Sequence, residues 1–488
     1  MKIPIIGSGF SSLSAAAYLS KLGHRVTVFE KNEQIGGRAR LFEEAGFKFD
    51  MGPSWYWMPE VFENFFNDHN SSVQDHYDLV RLSPSYQVFF KDKTIEVLAN
   101  LNDLYELFDS LEINGASKLK NFLKNSEAKY SAAMKGPISL PGLSFKELFR
   151  PDIIKSAVHL NLTQSFAKFV RNRFTSKYIH QILEFPILFL GSTPAKIPSL
   201  YSMLNYADIK LGTWYPMGGM HKVIEGMTNV LQNYGVSIET SSPVQQINIE
   251  NKKAKEIILD NGAFEADAVV AGADYAHVEN SLLSKEYRQY SSAYWEKRAL
   301  APSAIIMYLG VKGKLTKLLH HNLFFDADFD NHLSTIYKTK AWPKNPLFYV
   351  ANPSKTDKSV APAGHENLFV LIPTAPGLLT SDDELLDDYL ENVIRRIKKN
   401  TGEDLSNRIV YKKFFAPKNF VQDYNAFKGN AYGLANTLMQ THFLKPRIKH
   451  KHINNLFYTG QLTVPGPGVP PSIISGHIVA SYLHKNLK

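Results

Sequence analysis

Residues 3–57 read IPIIGSGFSSLSAAAYLSKLGHRVTVFEKNEQIGGRARLFEEAGFKFDMGPSWYW and decide the fold of this 488-residue chain. The apolar run at residues 3–6 leads into the turn at residues 7–9, and small or apolar residues then recur at helical spacing. A second apolar run, Arg25–Phe29, ends directly before Glu30. Strand, glycine turn, helix, strand and acid follow one another here in the order of a dinucleotide-binding unit.

The two glycines of the turn have separate roles in such a unit. Gly7 permits the tight turn, and Gly9 lets the backbone approach a pyrophosphate. We expect a helix that begins near Ser11 and points its free N–H groups and positive dipole end at that pyrophosphate. Glu30 lies about twenty residues beyond the glycines, where its carboxylate can accept hydrogen bonds from ribose hydroxyls.

Two residues depart from the usual pattern. Ser12 stands where a third glycine is common, and it is still small enough for close packing of helix on strand. Pro4 cannot donate to a hydrogen-bond ladder, so we expect it near the start of its strand. The alternative is an ordinary strand–helix–strand crossover that binds no ligand. It is disfavoured because strand, glycine turn, helix, second strand and acid all occur in the expected order and spacing.

Composition limits the classes of function. The chain is 44% hydrophobic and 21% charged, which is typical of globular domains. It contains no cysteine, which excludes disulfides, thiolate metal sites and cysteine catalysis. The net charge of +9 fits an anionic membrane surface, a nucleic acid or a merely solvated basic surface. Nothing else supports nucleic-acid binding, so no nucleic-acid partner is expected.

Four further segments carry a recognisable pattern. Residues 36–38 read GGR, residues 49–55 FDMGPSW, residues 214–220 WYPMGGM, and residues 465–472 PGPGVPPS. Together with the glycine turn and its acid, they resemble the flavin amine-oxidase superfamily. Within it they look like the bacterial phytoene-desaturase type of carotenoid desaturases, including hydroxycarotenoid 3,4-desaturases.

The resemblance implies FAD as the cofactor and assigns its parts to this chain. Arg38 would lie against a phosphate or ribose, residues 52–55 would pass close to the flavin ring, and the Val244 backbone would meet the adenine. Gly460 would approach the pyrophosphate, and the turn at residues 469–472 would meet the pyrimidine side of the flavin. The implied FAD-binding residues are Gly7, Gly9, Phe10, Ser11, Glu30, Lys31, Gly37, Arg38, Gly52, Pro53, Ser54, Trp55, Val244, Gly460, Val469, Pro470 and Ser472.

The predicted fold class is α/β. A Rossmann-like FAD-binding domain, with a parallel sheet and helices, is interleaved with an α+β substrate domain and a helical lid. The FAD-binding domain takes residues 1–75, 213–300 and 446–488, and the substrate domain takes residues 76–212 and 301–445. Within the latter, residues 101–180 form the lid.

The lid has a charge bias. Nine lysines and arginines stand against two acids in residues 129–180, with apolar side chains between them. Basic amphipathic helices of this kind suit an anionic membrane surface. The alternative is a set of solvated helices whose aromatic face belongs to the core.

No segment is expected to span a bilayer, because the longest apolar run, residues 182–190, is broken by Glu184 and Pro186. The chain starts directly with a predicted strand, which leaves no room for a signal peptide. We therefore expect a cytoplasmic protein that associates peripherally with the membrane.

The chemistry implied by the resemblance is the removal of a hydride from an allylic carbon to flavin N5, with loss of a proton from the neighbouring carbon. Trp57, Trp214 and Tyr215 are predicted to line an apolar substrate channel, with core packing as the alternative. Oxygen or a quinone would be the final electron acceptor. The histidines show no ligand spacing, so no metal is expected.

The catalytic base is not identified. Asp50 and Glu184 are the candidates, although a structural role explains each of them as well. Two other functions stay open on the same fold: an oxidase of amines or other small molecules, and a non-enzymatic lipid carrier.

Overall fold

The computed structural model describes residues 1–149, 164–380 and 382–487. Four members of the basic and apolar stretch of the lid, Arg150, Ile153, Ile154 and Lys155, lie outside the described residues. In the described part of the chain, no helix combines the length and the apolar character needed to cross a membrane.

The described strands and α-helices have the following bounds. The strands are β1 Lys2–Ile6, β2 Arg25–Phe29, β3 Leu41–Glu44, β4 Phe47–Asp50, β5 Leu79–Arg81, β6 Tyr86–Phe90, β7 Thr94–Val97, β8 Trp214–Pro216, β9 Ser237–Glu239, β10 Val244–Glu250, β11 Lys253–Leu259, β12 Gly262–Glu265, β13 Val269–Ala271, β14 Ser303–Lys312, β15 His321–Phe325, β16 Phe348–Ala351, β17 His365–Thr374, β18 Ile409–Phe415 and β19 Leu456–Tyr458. The helices of six residues or more are α1 Phe10–Lys21, α2 Pro59–Asp68, α3 Leu101–Leu111, α4 Gly115–Met134, α5 Phe166–Arg171, α6 Lys177–Glu184, α7 His221–Asn233, α8 Ser292–Lys297, α9 Phe329–Ser334, α10 Asp383–Thr401, α11 Pro417–Tyr424 and α12 Val469–Asn486.

A five-stranded parallel sheet forms around the N-terminal strand. Its order is β19-β13-β1-β2-β9, and every neighbouring pair is parallel. The core strands carry continuous apolar runs because helices cover a parallel sheet of this kind. The predicted strand–turn–helix–strand unit is confirmed, with α1 beginning one residue before the expected Ser11.

Helix α1 packs closely against the C-terminal helix α12. A Cβ atom on Gly476 would lie 2.3 Å from the Ser11 carbonyl oxygen, so only glycine permits this approach. The Ser14 hydroxyl donates to the Ile473 carbonyl at 2.7 Å. The two ends of the chain are thereby held side by side.

Pro4 is not near the start of its strand, as expected, but is the third of its five residues. Lys2 and Ile6 accept backbone hydrogen bonds from Asp267 and Gly272, so the even-numbered residues of β1 face β13. Pro4 therefore faces β13, and the sheet tolerates the loss of one donor there. Ser12 packs so closely that a Cβ atom on Gly272 would lie 1.9 Å from its hydroxyl oxygen.

A second, seven-stranded sheet has the order β18-β14-β17-β16-β15-β6-β7. Its pairs are antiparallel except for β15 with β6. The predicted hairpin of β6 and β7 is confirmed. The strands of this sheet come from the ranges predicted for the substrate domain, and those of the parallel sheet from the other ranges. The predicted α/β class is confirmed, while the exact domain boundaries stay a prediction.

The described part of the lid turns its aromatic side chains inward. Phe166, Phe169, Val170 and Phe174 are buried, and each is at most 1% exposed. Lys129 is also buried and donates to the Ser199 carbonyl at 2.8 Å. In this part of the lid, the aromatic side chains therefore belong to the core, which is the alternative given above to a membrane-facing surface.

Candidate functional site

A cavity of about 770 Å³ lies between the glycine turn and the second sheet. One end is bounded by the turn after β1, the end of β2 and the loop before α12. The other end is apolar and is walled by residues in or next to the strands of the second sheet and by residues that follow the lid. These include Phe185, Leu190, Ala304, Ile306, Leu323, Phe325, Leu347, Phe348 and Leu371.

Every residue predicted to bind FAD lines this cavity, and so does Trp57. The set includes distant segments, because Val244 opens β10 and Gly460 follows β19. The predicted channel residues Trp214 and Tyr215 do not line it.

The glycine turn leaves open space for a ligand. Gly7 has φ +91°, in the region that favours glycine. Gly9 has ordinary extended geometry, and a Cβ atom built on it would meet nothing within 4 Å. Gly9 is also the N-cap of α1 and supplies no side-chain cap, so the first N–H groups of the helix keep no side-chain partner there. This arrangement fits a pyrophosphate.

Glu30 is buried at the end of β2 and is already hydrogen-bonded. One carboxylate oxygen accepts from the Ser8 backbone and hydroxyl at 3.0 and 2.6 Å. The other accepts from the backbone and side-chain nitrogens of Asn32, both at 2.9 Å. Because a carboxylate has about four acceptor positions, a ribose hydroxyl must replace one of these donors. The Ser8 hydroxyl and the Asn32 amide can rotate away and leave the carboxylate to the ribose.

Arg38 presents an unsatisfied cation to the same end of the cavity. Its guanidinium donates to the Asn430 carbonyl at 3.2 Å and to the Gln461 side-chain oxygen at 3.1 and 3.2 Å. Its buried Nε has no hydrogen-bond partner. Burial lowers the pKa of Arg38, and the nearby Asp274 carboxylate opposes that shift. A phosphate would give this cation the partner that it lacks.

A second helix N-terminus faces the cavity. Helix α12 starts at Val469, four residues before the expected Ile473, so Val469, Pro470 and Ser472 form its first turn. Its N-cap, Gly468, has φ +116° and offers no side-chain cap. The positive ends of α1 and α12 therefore both point at the space that a dinucleotide would fill.

Two tryptophans at the apolar end are held in fixed orientations. The Trp55 ring stacks on His321 with centroids 4.0 Å apart. The Trp57 Nε1 donates to the Thr213 hydroxyl at 2.8 Å, and that hydroxyl donates to Asp208 at 3.0 Å. Asp208 is buried and has no cationic partner among the described residues, and burial raises its pKa to about 7. This carboxyl group therefore supports Trp57 from behind the cavity wall.

Trp214 and Tyr215 lie elsewhere because β8 pairs with β5 in a separate two-stranded sheet. The Trp214 Nε1 donates to the Leu211 carbonyl at 2.9 Å, and the Tyr215 hydroxyl donates to Asp357 at 3.3 Å. The prediction that they line the channel is therefore corrected.

Asp50 and Glu184 also lie outside the large cavity. Asp50 accepts from the backbone nitrogens of Met220 and His221 at 2.7 and 3.0 Å, at the start of α7. Glu184 forms a 3.2 Å ion pair with Arg171. Burial raises the pKa of both carboxyl groups to about 7. Among the described residues, no group of three metal-binding side chains comes together.

The sequence analysis missed much of the apolar wall. Ala304 and Ile306 on β14, and Leu323 and Phe325 on β15, line the cavity at alternate positions. Such alternation is the normal signal of one strand face. It does not distinguish a face that lines a cavity from one that fills a core, so only the tertiary arrangement shows the difference.

The family follows from a comparison with known proteins. The family model for flavin containing amine oxidoreductases matches residues 10–484, and the chain belongs to this family. This confirms FAD as the cofactor and an FAD-dependent oxidoreductase as the class of protein.

Two curated relatives match over their full lengths. The chain is 40% identical over 487 residues to a carotenoid 3,4-desaturase of Haloarcula japonica, covering 99% of this chain and 98% of the relative. It is 30% identical over 504 residues to a 4,4'-diapophytoene desaturase (4,4'-diaponeurosporene-forming) of Staphylococcus aureus, covering 100% and 99%. The resemblance to carotenoid desaturases is thereby confirmed.

Solved structures share the fold at low identity. An oxidoreductase from Methanosarcina mazei superposes with a TM-score of 0.61 at 18% identity, covering 98% of this chain and 99% of that one. A putrescine oxidase double mutant superposes with a TM-score of 0.62 at 12% identity, covering 99% and 98%. These likenesses support the fold alone.

Gly9→Ala should weaken FAD binding without destabilising the protein. The new methyl group meets no protein atom, but it stands where the pyrophosphate would approach the backbone. We expect the dissociation constant for FAD to rise about tenfold or more, which corresponds to about 1.4 kcal/mol. Titration of the FAD-free protein followed by flavin fluorescence measures it. Ser20→Ala, on the same helix but outside the cavity, is the matched control, and equal affinity in both variants would refute the assignment.

Asp208→Asn should change the pH dependence of stability. The folded protein holds the Asp208 proton more tightly than the unfolded chain, so its contribution is complete below the ordinary pKa and is lost as the pH rises through about 7. From about pH 5 to about pH 8, the asparagine variant should gain about 2–3 kcal/mol in free energy of unfolding relative to the native protein. Urea unfolding at both pH values measures this difference, with the exposed Glu265→Gln as control. Parallel pH profiles would contradict the prediction.

Proposed function

We propose that the protein catalyses the FAD-dependent desaturation of a long polyene carotenoid. The observation that carries this proposal is the separation of charge within one cavity. Of the described lining residues, the charged ones are Glu30, Lys31, Arg38, Asp274 and Asp423, and all lie at the dinucleotide end. The apolar end offers hydrocarbon and aromatic surface to an equally apolar chain.

The side chains of the apolar end bind and orient the substrate. Bound FAD supplies the hydride acceptor of the reaction. The walls exclude water, which favours an extended polyene over a hydrated small molecule. Trp55 stacks on His321, and Trp57 donates a hydrogen bond to Thr213. Because both rings are held in place, they limit the positions that the polyene can take beside the flavin end.

The same charge distribution argues against an amine oxidase. A protonated amine in a dry cavity needs a carboxylate or a comparable anionic partner. The acids among the described lining residues belong to the dinucleotide end, where they contact the glycine turn, Arg38 or Arg40. An amine would find none of them at the apolar end.

The finer reaction is proposed from the curated relatives. The relative with the higher identity is a 3,4-desaturase, at 40%, while the diapophytoene desaturase is at 30%. We therefore favour 3,4-desaturation of a carotenoid, such as a 1-hydroxycarotenoid, over desaturation of the phytoene type. Oxygen or a quinone is the proposed electron acceptor, and the interleaved division into an FAD-binding and a substrate domain is proposed with the boundaries given above.

We also propose that the protein binds a membrane surface peripherally. Residues 133–138, 198–204 and 438–444 contribute to one part of the cavity wall. Next to them, Met439 is 73% exposed and Leu438 is 44% exposed. An apolar rim beside an apolar cavity would let a carotenoid pass between the bilayer and the site without entering water.

Anaerobic incubation with carotenoids in liposomes tests the reaction. We expect the flavin absorbance at long wavelength to bleach, and the product to show a red-shifted spectrum because its conjugated system is longer. Chromatography with a 1-hydroxycarotenoid and with phytoene separates the two desaturations. Peroxide release with amines in the absence of lipid would instead support the small-molecule oxidase, and a purified protein that binds no FAD would support the lipid carrier.

Met439→Glu should weaken membrane binding. A charged side chain at the rim cannot enter the interfacial region without a desolvation cost. We expect the partition coefficient into anionic phospholipid vesicles to fall about tenfold, which corresponds to about 1.4 kcal/mol. Cosedimentation with vesicles measures this coefficient. Val410→Glu is the matched control, since Val410 is 54% exposed on β18 and does not line the cavity. Equal partition of both variants would exclude the rim as the contact.

A further inference from the structure

A second, much smaller cavity lies behind the wall of the large one. Its volume is about 10 Å³, which is close to the space that one water molecule requires. Asp50, Tyr215 and His320 line it together with Ser54. Ser54 lines the large cavity as well, so this residue lies between the two spaces.

Ser54 is joined to a second hydroxyl of the large cavity. The Tyr349 hydroxyl donates to the Ser54 Oγ at 3.0 Å, and it lies 2.6 Å from the Nδ1 of His321. Because Tyr349 uses its proton toward Ser54, His321 donates to it from Nδ1. His321 is fully buried, and burial holds its pKa well below the usual range, so it is a neutral donor. The direction of the chain, from Tyr349 to Ser54, is that of the hydrogen bond between these two hydroxyls.

Asp50 can accept a proton at the far side of the small cavity. Its two backbone donors, Met220 and His221, leave room for further hydrogen bonds, since a carboxylate has about four acceptor positions. No cation among the described residues acts on its carboxyl group. The titratable groups that face it are Tyr215, Tyr308, Tyr349 and His320.

We propose that Tyr349, Ser54 and one water in the small cavity carry the proton of the desaturation to Asp50. This inference rests on the proposed function. Two C–H bonds of the carotenoid break and one C=C bond forms; the hydride and its electron pair are taken up by FAD. The proton passes to the Tyr349 oxygen while Tyr349 gives its own proton to Ser54, Ser54 to the water, and the water to the Asp50 carboxylate. Asp50 becomes a neutral carboxylic acid and returns its proton to solvent between turnovers.

The route explains why a dry cavity can release a proton. The carotenoid that has lost a hydride is a cation and a strong carbon acid, because loss of a proton from the neighbouring carbon gives a neutral polyene. A neutral hydroxyl can accept from it, provided that the hydroxyl gives up its own proton at the same time. Tyr349 meets this condition, because its hydroxyl donates to Ser54.

Tyr349→Phe, Ser54→Ala and Asp50→Asn test the relay in the FAD-loaded protein. We expect each variant, assayed with FAD bound, to lower the anaerobic rate of flavin reduction roughly 100-fold, the usual contribution of a positioned proton acceptor. The native protein should react more slowly in D₂O than in H₂O, and Tyr349→Phe should lose this isotope effect. Tyr389→Phe is the control, since it removes a buried hydroxyl bond, to the Pro343 carbonyl, on α10 outside the cavity.

Infrared spectroscopy of the FAD-free protein gives a readout that does not depend on turnover. We expect a carboxyl band that titrates near neutral pH, is absent in Asp50→Asn and is shifted in Ser54→Ala, because the water between the two groups changes. Native-like rates and isotope effects in the variants, or a carboxyl band indifferent to Ser54, would overturn the relay alone. A native protein that reacts with no carotenoid would overturn the proposed function and the relay with it.

Discussion

The fold depends on the meeting of two helix N-termini that no side chain caps. Helices α1 and α12 come from opposite ends of the chain, and both begin at a glycine beside the same cavity. Free backbone N–H groups at a helix start require a partner, and two positive dipole ends repel each other unless an anion lies between them. A pyrophosphate meets both needs. Gly476 makes the arrangement possible, because a side chain there would collide with the Ser11 carbonyl.

This constraint also places the middle of the chain. Since residues near both termini form one end of the cavity, the segments between them must leave the parallel sheet and return to it. They leave after β2 to build the second sheet, come back for β9 to β13, and leave once more before β19. The second sheet thus closes the cavity opposite the dinucleotide end. The charged and the apolar lining residues are separated along one cavity, because two sheets of different composition form its two ends.

The sequence predicted the structural elements that short, contiguous runs of residues encode. The glycine turn, the strand after α1 and the β6–β7 hairpin were identified because each combines a short periodic run with turn residues. The distant Val244 and Gly460 were assigned to the cavity through family resemblance, since no local pattern links them to Gly9. The apolar wall was missed because alternation on β14 and β15 indicates a buried face without saying what lies against it. Trp214 and Tyr215 were placed wrongly for the opposite reason: their neighbours in sequence suggested a channel, while the pairing of β8 with β5 turned them away from it.

Two carboxyl groups near the cavity wall, Asp208 and Asp50, have neutral hydrogen-bond partners. Asp208 is held by the hydroxyls of Thr213 and Tyr86, and Asp50 by backbone N–H groups; neither has a cation beside it in the described structure. Burial disfavours the charged form and raises the pKa of both groups to about 7, so each can lose and regain a proton near neutral pH. A wall built in this way contains groups that can exchange a proton next to a hydrocarbon substrate. Asp208 only supports Trp57, because Thr213 separates it from the cavity. Asp50 differs from Asp208 in having a water-sized space and the Ser54 hydroxyl on its inner side. Because of this difference, Asp208 has a structural role, whereas Asp50 can take part in the chemistry.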